Sequence, residues 1–424
     1  MAFAAGARYQ AIARRVGFYS TRAGALEGQT LAAPARIVPA QWALALGALD
    51  TSVVLAYAAG VNPILWHLGT LALKGGLFAL LRPRDRVILL NGAPFLAIIL
   101  LFIGLSAATT MEMRGLLQAG GFLAHLTLTL ALLRPDLIRH YAGAVAVVGA
   151  GAAALHVLGC LAGLVYNAWG RFYYLGNSHP NLGGEINALC VLAAAIGWRK
   201  IPALALASVL IISILLMQSR AALVAALGVV TMLIVFNSQG RLSLRRVFAL
   251  AAMGIAAVTA GGLLGLFGSV EDLINQVLLL DDPYRGTSTG FVGRDERWAA
   301  AWGLFTSHPF FGVGLAYFEA YPAISPHNFF LFALAQHGAA ALLLFAVLVV
   351  YLYRVFARSR FDFFLILPAF TLFLFNDRLM NINPYPFCVY VFLVTLSVSA
   401  RASAQAHAAA PSAPTPRPLI SISS

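Results

Sequence analysis

Charge is scarce in this chain. Asp, Glu, Lys and Arg make up only 10% of its 424 residues, against roughly 25% in a soluble domain. Lysine is nearly absent, with Lys74 and Lys200 alone. The three cysteines, Cys160, Cys190 and Cys388, each fall in an apolar run. They are too few and too scattered for a disulfide framework or a zinc site. No phosphate-binding P-loop and no zinc motif occurs. Asp281-Asp282 is an acidic pair without the further oxygen ligands that a hard cation needs, so neither a metal nor any other cofactor is assigned. The N-terminus has no short apolar run followed by a small-residue cleavage site, and no cleaved signal peptide is expected.

What is present is apolar. Hydrophobic residues form 61% of the chain and the mean hydropathy is +0.84. Counted at about 20 apolar residues per span, segments fall at roughly 38–60, 62–81, 87–108, 115–133, 141–166, 182–197, 201–217, 221–236, 247–268, 328–353, 361–375 and 384–400. The expected fold is an all-α polytopic membrane protein of about twelve transmembrane helices, with one larger loop at about 269–327. Residues 1–37 form a basic arm with Arg8, Arg14, Arg15, Arg22 and Arg36 against Glu27, suited to anionic lipid. The transmembrane domain spans 38–400. Residues 401–424, rich in Ala, Pro and Ser, read as a disordered tail.

The net charge of +13 suggests nucleic acid in a soluble protein; in a membrane protein the positive-inside rule accounts for it first. With the N-terminus in the cytoplasm, the cytoplasmic loops collect Arg82, Arg84, Arg86, Arg134, Arg139, Arg199, Lys200, Arg241, Arg245, Arg246, Arg354, Arg358 and Arg360. The tail is then cytoplasmic too. The opposite face keeps Arg114, Arg171, Arg220, Arg285, Arg294, Arg297 and Arg378. Orientation does not explain these seven. Polar groups gathered at one membrane face mark where a membrane enzyme keeps its chemistry.

The segment Gly293 to Gly338, GRDERWAAAWGLFTSHPFFGVGLAYFEAYPAISPHNFFLFALAQHG, is the richest in such groups. Its first part has helical spacing, with Trp298, Trp302 and Phe305 on one face, and tryptophan favours the membrane interface. His308-Pro309 ends that helix, and Gly312 and Gly314 permit a tight turn. Arg294 and Arg297, spaced i and i+3, share one helix face; Asp295 and Glu296 beside them allow a solvated charged helix instead. His327-Asn328 opens the tenth span, with Ser325 as an oxygen cap and Pro326 in the first turn. A histidine at the positive end of a helix dipole is favoured as the neutral ring, which accepts a proton. An interfacial histidine without chemistry fits the same position.

Other candidates lie upstream. Arg220 follows Ser219 in the turn between spans seven and eight; it is either a snorkelling side chain or a planar donor fork aimed at a phosphate. Arg171 lies in GRFYYLGNSHPN, and Asn181, Glu185 and Asn187 begin the sixth span. Glu185, one turn inside the membrane, is either functional or paired with an arginine. Asp50 and Lys74 lie equally far from the turn joining the first two spans, and a structural ion pair between them is expected.

These residues resemble the O-antigen ligase and polymerase superfamily. The resemblance rests on Arg294-x-x-x-Trp298, on the turn Pro309 to Gly314, on His327-Asn328 with Gly338 ten residues after the asparagine, and on QSRAAL around Arg220. HPN at 179–181 is similar to the family's Asn-Pro-Asn element, with His179 in place of its first Asn. Ala341 is a departure, since ligases often continue there with a residue such as Gly or Thr. The match touches residues 171–341 and is carried by four motifs in order on one side of the membrane.

The resemblance implies a glycosyltransferase of the bacterial inner membrane, working at the periplasmic face, metal-independent and inverting. The donor would be a glycan on undecaprenyl diphosphate. The acceptor would be lipid A-core in a ligase, or a second lipid-linked glycan in a polymerase. His327 would be the general base, with Arg220 and Arg294 stabilising the leaving diphosphate. Arg297, Asn328, Arg171, Glu185, Asn181 and Arg378 would bind substrate. A ligase that glycosylates protein is a further option within the superfamily. A lipid-linked sugar transporter or flippase is the rival of another class, but it would place charges at the midplane of repeated halves, and no internal repeat is visible.

Overall fold

The computed structural model describes residues 39–59, 63–80, parts of 97–105, 113–133, 137–168, 171–175, 179–236, 241–265, 294–314, 317–321 and 324–372. They are mostly helical. In chain order the helices are α1 (Pro39–Ala58), α2 (Pro63–Leu80), α3 (Met113–Leu132), α4 (Ile138–Leu161), α5 (Pro180–Gly197), α6 (Lys200–Met217), α7 (Arg220–Val235), α8 (Leu244–Leu263), α9 (Arg294–Ser307), α10 (Tyr317–Ala320), α11 (Phe329–His337), α12 (Ala340–Arg358) and α13 (Arg360–Ile366), the last running into a 3-10 turn at Leu367–Phe370. Four of these contain segments long and apolar enough to cross a membrane: Ile138–Leu161, Lys200–Met217, Leu244–Leu263 and Ala340–Ala357.

Two features depart from the expected all-α chain of single spans. A small antiparallel pair, β1 (Asn167–Ala168) and β2 (Arg171–Phe172), precedes α5, with Asn167 opposite Phe172 and Ala168 opposite Arg171. Two residues per strand carry no periodicity for a sequence reading to detect. The expected span 328–353 is two helices, α11 and α12, broken at Gly338. Gly338 takes a positive φ of 58°, and a Cβ there would press on the backbone of Pro309 and Phe310. The expected spans at 87–108 and 384–400 lie largely or wholly outside the described residues, as do both terminal segments.

α5 is the hub of the core, buried along most of its length from Pro180 to Gly197. It packs against α4, α6 and α7. Small residues allow this, since association within a bilayer relies on close backbone approach rather than on expelling water. At Gly184, for example, an added Cβ would strike the side chain of Ser219.

The predicted Asp50–Lys74 pair forms between α1 and α2, with both groups buried. Lys74 Nζ also donates to Thr129 Oγ1 at 2.8 Å, and Tyr141 OH donates to Asp50 Oδ2 at 2.8 Å. The ion pair therefore ties α1, α2, α3 and α4 together. Charges in an apolar bundle persist only when paired and hydrogen-bonded in this way.

Candidate active site

Two polar groups are assembled, each on its own apolar core. The first forms where α5, α6 and α7 meet. Pro180 occupies the first turn of α5, and His179 caps that helix by accepting the Asn181 N–H through its ring at 3.2 Å. Arg171 is buried on β2. Its Nε donates to the Met217 carbonyl at 3.0 Å, and its Nη2 donates to Asn181 Oδ1 at 2.6 Å and reaches the Gln218 carbonyl at 3.5 Å. A guanidinium is well placed on the last carbonyls of α6, where the helix dipole is negative.

Arg171 thus braces the turn between α6 and α7. Gln218 holds a left-handed φ of 49° in that turn, Ser219 is the N-cap position of α7, and Arg220 is its first residue. The Arg220 side chain is half-buried. Glu185 is buried on α5, next to the Gly184 contact with Ser219. The structure therefore brings Arg171, Asn181, Glu185 and Arg220 to one meeting point of three helices.

The second group is built by α9, the turn after it, and α11. α9 ends at Ser307, just before His308-Pro309, as expected. The glycine turn then clasps the end of α11: Val313 N–H donates to the Ala335 carbonyl at 2.9 Å, Gly314 N–H to Gln336 at 3.0 Å, and Ala339 N–H to Pro309 at 2.7 Å. Gly312, at φ 68°, lies so close to the Gln336 and His337 backbone that a Cβ has no room. Trp298 Nε1 donates to the Pro326 carbonyl at 2.8 Å, which pins α9 to the segment carrying His327. Phe318 of α10 stacks on Phe332 of α11 at 4.9 Å, and both share a small core with Ala301 and Ala335.

The start of α11 corrects the expected capping. Asn328, not Ser325, is the N-cap; its Oδ1 accepts from Phe330 N–H at 3.0 Å and Leu331 N–H at 3.1 Å. Pro326 and His327 consequently precede the helix. His327 is half-buried and holds a left-handed φ of 48°. That conformation is uncommon for a side chain with a Cβ and persists where the surroundings impose it. Here the Trp298 bond fixes the residue before it and the Asn328 cap fixes the residue after. Asn328 thus has a structural duty that sequence reasoning gives to Ser325.

Arg294 and Arg297 are half-buried in the first turn of α9, with Asp295 and Glu296 exposed between them. Arg294 lies one turn from Trp298, so it occupies the face of α9 that meets the His327 segment. Phe329, the first residue of α11, is buried in the main core, while Phe332 belongs to the smaller one. Arg378 lies outside the described residues. Among the described residues no group of three or more His, Cys, Asp or Glu is arranged to hold a metal ion.

Sequence reading passes over the support beneath the first group. Tyr174 is fully buried and donates to Asn187 Oδ1 at 3.1 Å; burial pushes its phenol above the ordinary range and keeps it a donor. Asn187 in turn donates to Ser213 Oγ at 2.9 Å. The visible signal is Asn187 and Ser213, polar residues within otherwise apolar helices.

A helical bundle with membrane-length spans, carrying arginines, an asparagine and a strained histidine at helix starts, is the architecture of a polytopic membrane protein with a polar site. Within it, the O-antigen ligase family model matches residues 204–346. That stretch runs from α6 into α12 and contains Arg220, Arg294, Arg297, His327 and Asn328. The match supports the O-antigen ligase and polymerase superfamily, and with it membrane-bound polysaccharide biosynthesis on lipid-linked glycans in general. No curated protein matches the chain.

Proposed function

We propose that this protein is an O-antigen ligase-like glycosyltransferase. It moves a glycan from undecaprenyl diphosphate to a hydroxyl of lipid A-core on the periplasmic face of the inner membrane. The observation that carries the reading is the fixing of His327 between Trp298 and Asn328, on the helix pair that also presents Arg294.

The chemistry follows from the leaving group. In one displacement, the acceptor oxygen bonds to the anomeric carbon opposite the diphosphate while the bond from that carbon to the diphosphate oxygen breaks. Configuration inverts. The acceptor proton passes to the ring of His327 as general base. The departing undecaprenyl diphosphate takes the electron pair, and Arg220 and Arg294 stabilise its growing charge through paired N–H donors. Arg297, Glu185 and Arg378 contact donor or acceptor, while Asn328, Arg171 and Asn181 also hold the frame.

Transfer by purified protein, supplied with lipid-linked glycan and with lipid A-core, a second lipid-linked glycan or a pilin-type protein, tests the reading. Lipid A-core should be used. Product on the second lipid-linked glycan alone would identify a polymerase instead, and product on the protein acceptor alone a protein-glycosylating ligase. His327→Ala should abolish transfer without unfolding the protein; full transfer by that variant would remove the proposed base. Arg220→Lys should fail nearly as badly as Arg220→Ala, because a point charge does not replace a bidentate fork.

A further inference from the structure

A chain of hydrogen bonds lies under the first polar group and takes no direct part in the chemistry above. It begins at the β2 side: Tyr174 OH donates to Asn187 Oδ1 of α5 at 3.1 Å. Asn187 Nδ2 donates to Ser213 Oγ of α6 at 2.9 Å. Ser213 Oγ meets His156 Nδ1 of α4 at 2.8 Å. Since Ser213 accepts from Asn187, its own hydrogen is available for the histidine nitrogen. The other ring nitrogen, Nε2, lies 3.5 Å from Cys160 Sγ on the same helix. On the hairpin itself, the Tyr173 N–H donates to the Tyr166 carbonyl at 3.0 Å. The chain of hydrogen bonds thus leaves the hairpin at Tyr174 and passes through three helices.

Tyr174, Asn187, Ser213 and His156 are all buried. Tyr174 and His156 also face one another, with ring centroids 5.3 Å apart. In an apolar bundle, aliphatic residues of similar size would pack as well without risk of an unpaired polar group. What the chain adds is a fixed position of Tyr174 against α4, α5 and α6. Earlier on the same hairpin stands Arg171, whose guanidinium holds the Met217 and Gln218 carbonyls. Those residues form the turn that delivers Arg220.

We propose that the His156–Ser213–Asn187–Tyr174 chain is a positioning device for Arg220, acting through the hairpin and the Arg171 brace. The inference rests on the reading of Arg220 as a ligand of the donor diphosphate. Ser213 is the hub, because its oxygen serves two neighbours at once.

The test measures binding of undecaprenyl diphosphate to the purified full chain, together with amide hydrogen exchange of residues 171–175. Ser213→Ala, and the packing-preserving pair Ser213→Ala with Asn187→Leu, should each weaken binding about tenfold. Both variants leave a buried polar group without its partner, so binding is compared at a temperature where melting curves show each protein fully folded. Ser213→Thr, which retains the hydroxyl, should restore binding to within about twofold. In an Arg171→Ala background the same variants should add less than about twofold, because the brace they act through is gone. Exchange at 171–175 should rise in Ser213→Ala. Unchanged binding in both Ser213 variants that lack the hydroxyl, or an equal loss with and without Arg171, overturns the proposal. A parent protein that binds no undecaprenyl diphosphate removes the functional reading instead, and unchanged exchange in Ser213→Ala then independently removes the positioning role.

Discussion

Breaking the Asp50–Lys74 pair should destabilise the protein, and removing both charges together should not. Lys74→Met leaves the Asp50 carboxylate buried, with the Tyr141 hydroxyl at 2.8 Å as its close remaining donor. Asp50→Asn strips Lys74 of its counter-charge but leaves its bond to Thr129 at 2.8 Å. Breaking a buried pair costs about 3–5 kcal/mol. The surviving hydroxyl partners place each single variant near the lower end, at about 3 kcal/mol. In Asp50→Asn with Lys74→Met no charge is stranded, and stability should return to within about 1 kcal/mol of the parent. The coupling between the two sites is then roughly 5 kcal/mol, far above the few tenths seen for independent sites. Reversible unfolding in mixed micelles measures all four proteins, and glycan transfer by the double variant should match the parent. Single variants that each cost under about 1 kcal/mol, with an additive double, would refute the structural role assigned to the pair. A stable but inactive double variant would move it from framework to function.

Other perturbations address the second polar group. Asn328→Ala should lower stability by about 1 kcal/mol through loss of the cap, and Asn328→Ser should recover most of it; thermal melts of the two variants compare them directly. Trp298→Phe keeps the ring but loses the bond to Pro326, and should lower kcat for transfer more than it raises KM for the donor, since it loosens His327 rather than the arginines. Gly312→Ala combines a left-handed backbone with a blocked Cβ position. It should abolish transfer and lower the melting temperature, both read on detergent-purified protein.

Much of this architecture is legible in the amino-acid sequence. Uninterrupted apolar runs place α6 and α7 within a residue or two, because a helix in a bilayer must satisfy its own backbone and so fills the run. Pro309 ends α9 where its steric restriction requires. Asp50 and Lys74 announce their pairing because neither charge is tolerable alone. Three things are not legible there. The β1–β2 pair is too short to leave a pattern. Ser325 and Asn328 are both competent caps three residues apart, and only the pinning of Pro326 by Trp298 decides between them. Tyr174, Asn187, Ser213 and His156 are separated by up to 57 residues along the sequence, and their hydrogen bonds exist only once the hairpin and three helices have packed.

The break at Gly338 bears on how the protein tolerates bilayers of different thickness. A helix running unbroken through 328–353 would be a rod of about 39 Å. A tilt of about 20°, which is ordinary for a membrane helix, would swing its His327 end sideways by roughly 13 Å. With the rod cut, the tilt of α12 ends at a glycine hinge. α11, only nine residues long, stays gripped by the turn from Pro309 to Gly314. Adjustment to lipid length and placement of the histidine are thus assigned to different helices, and neither need disturb the other.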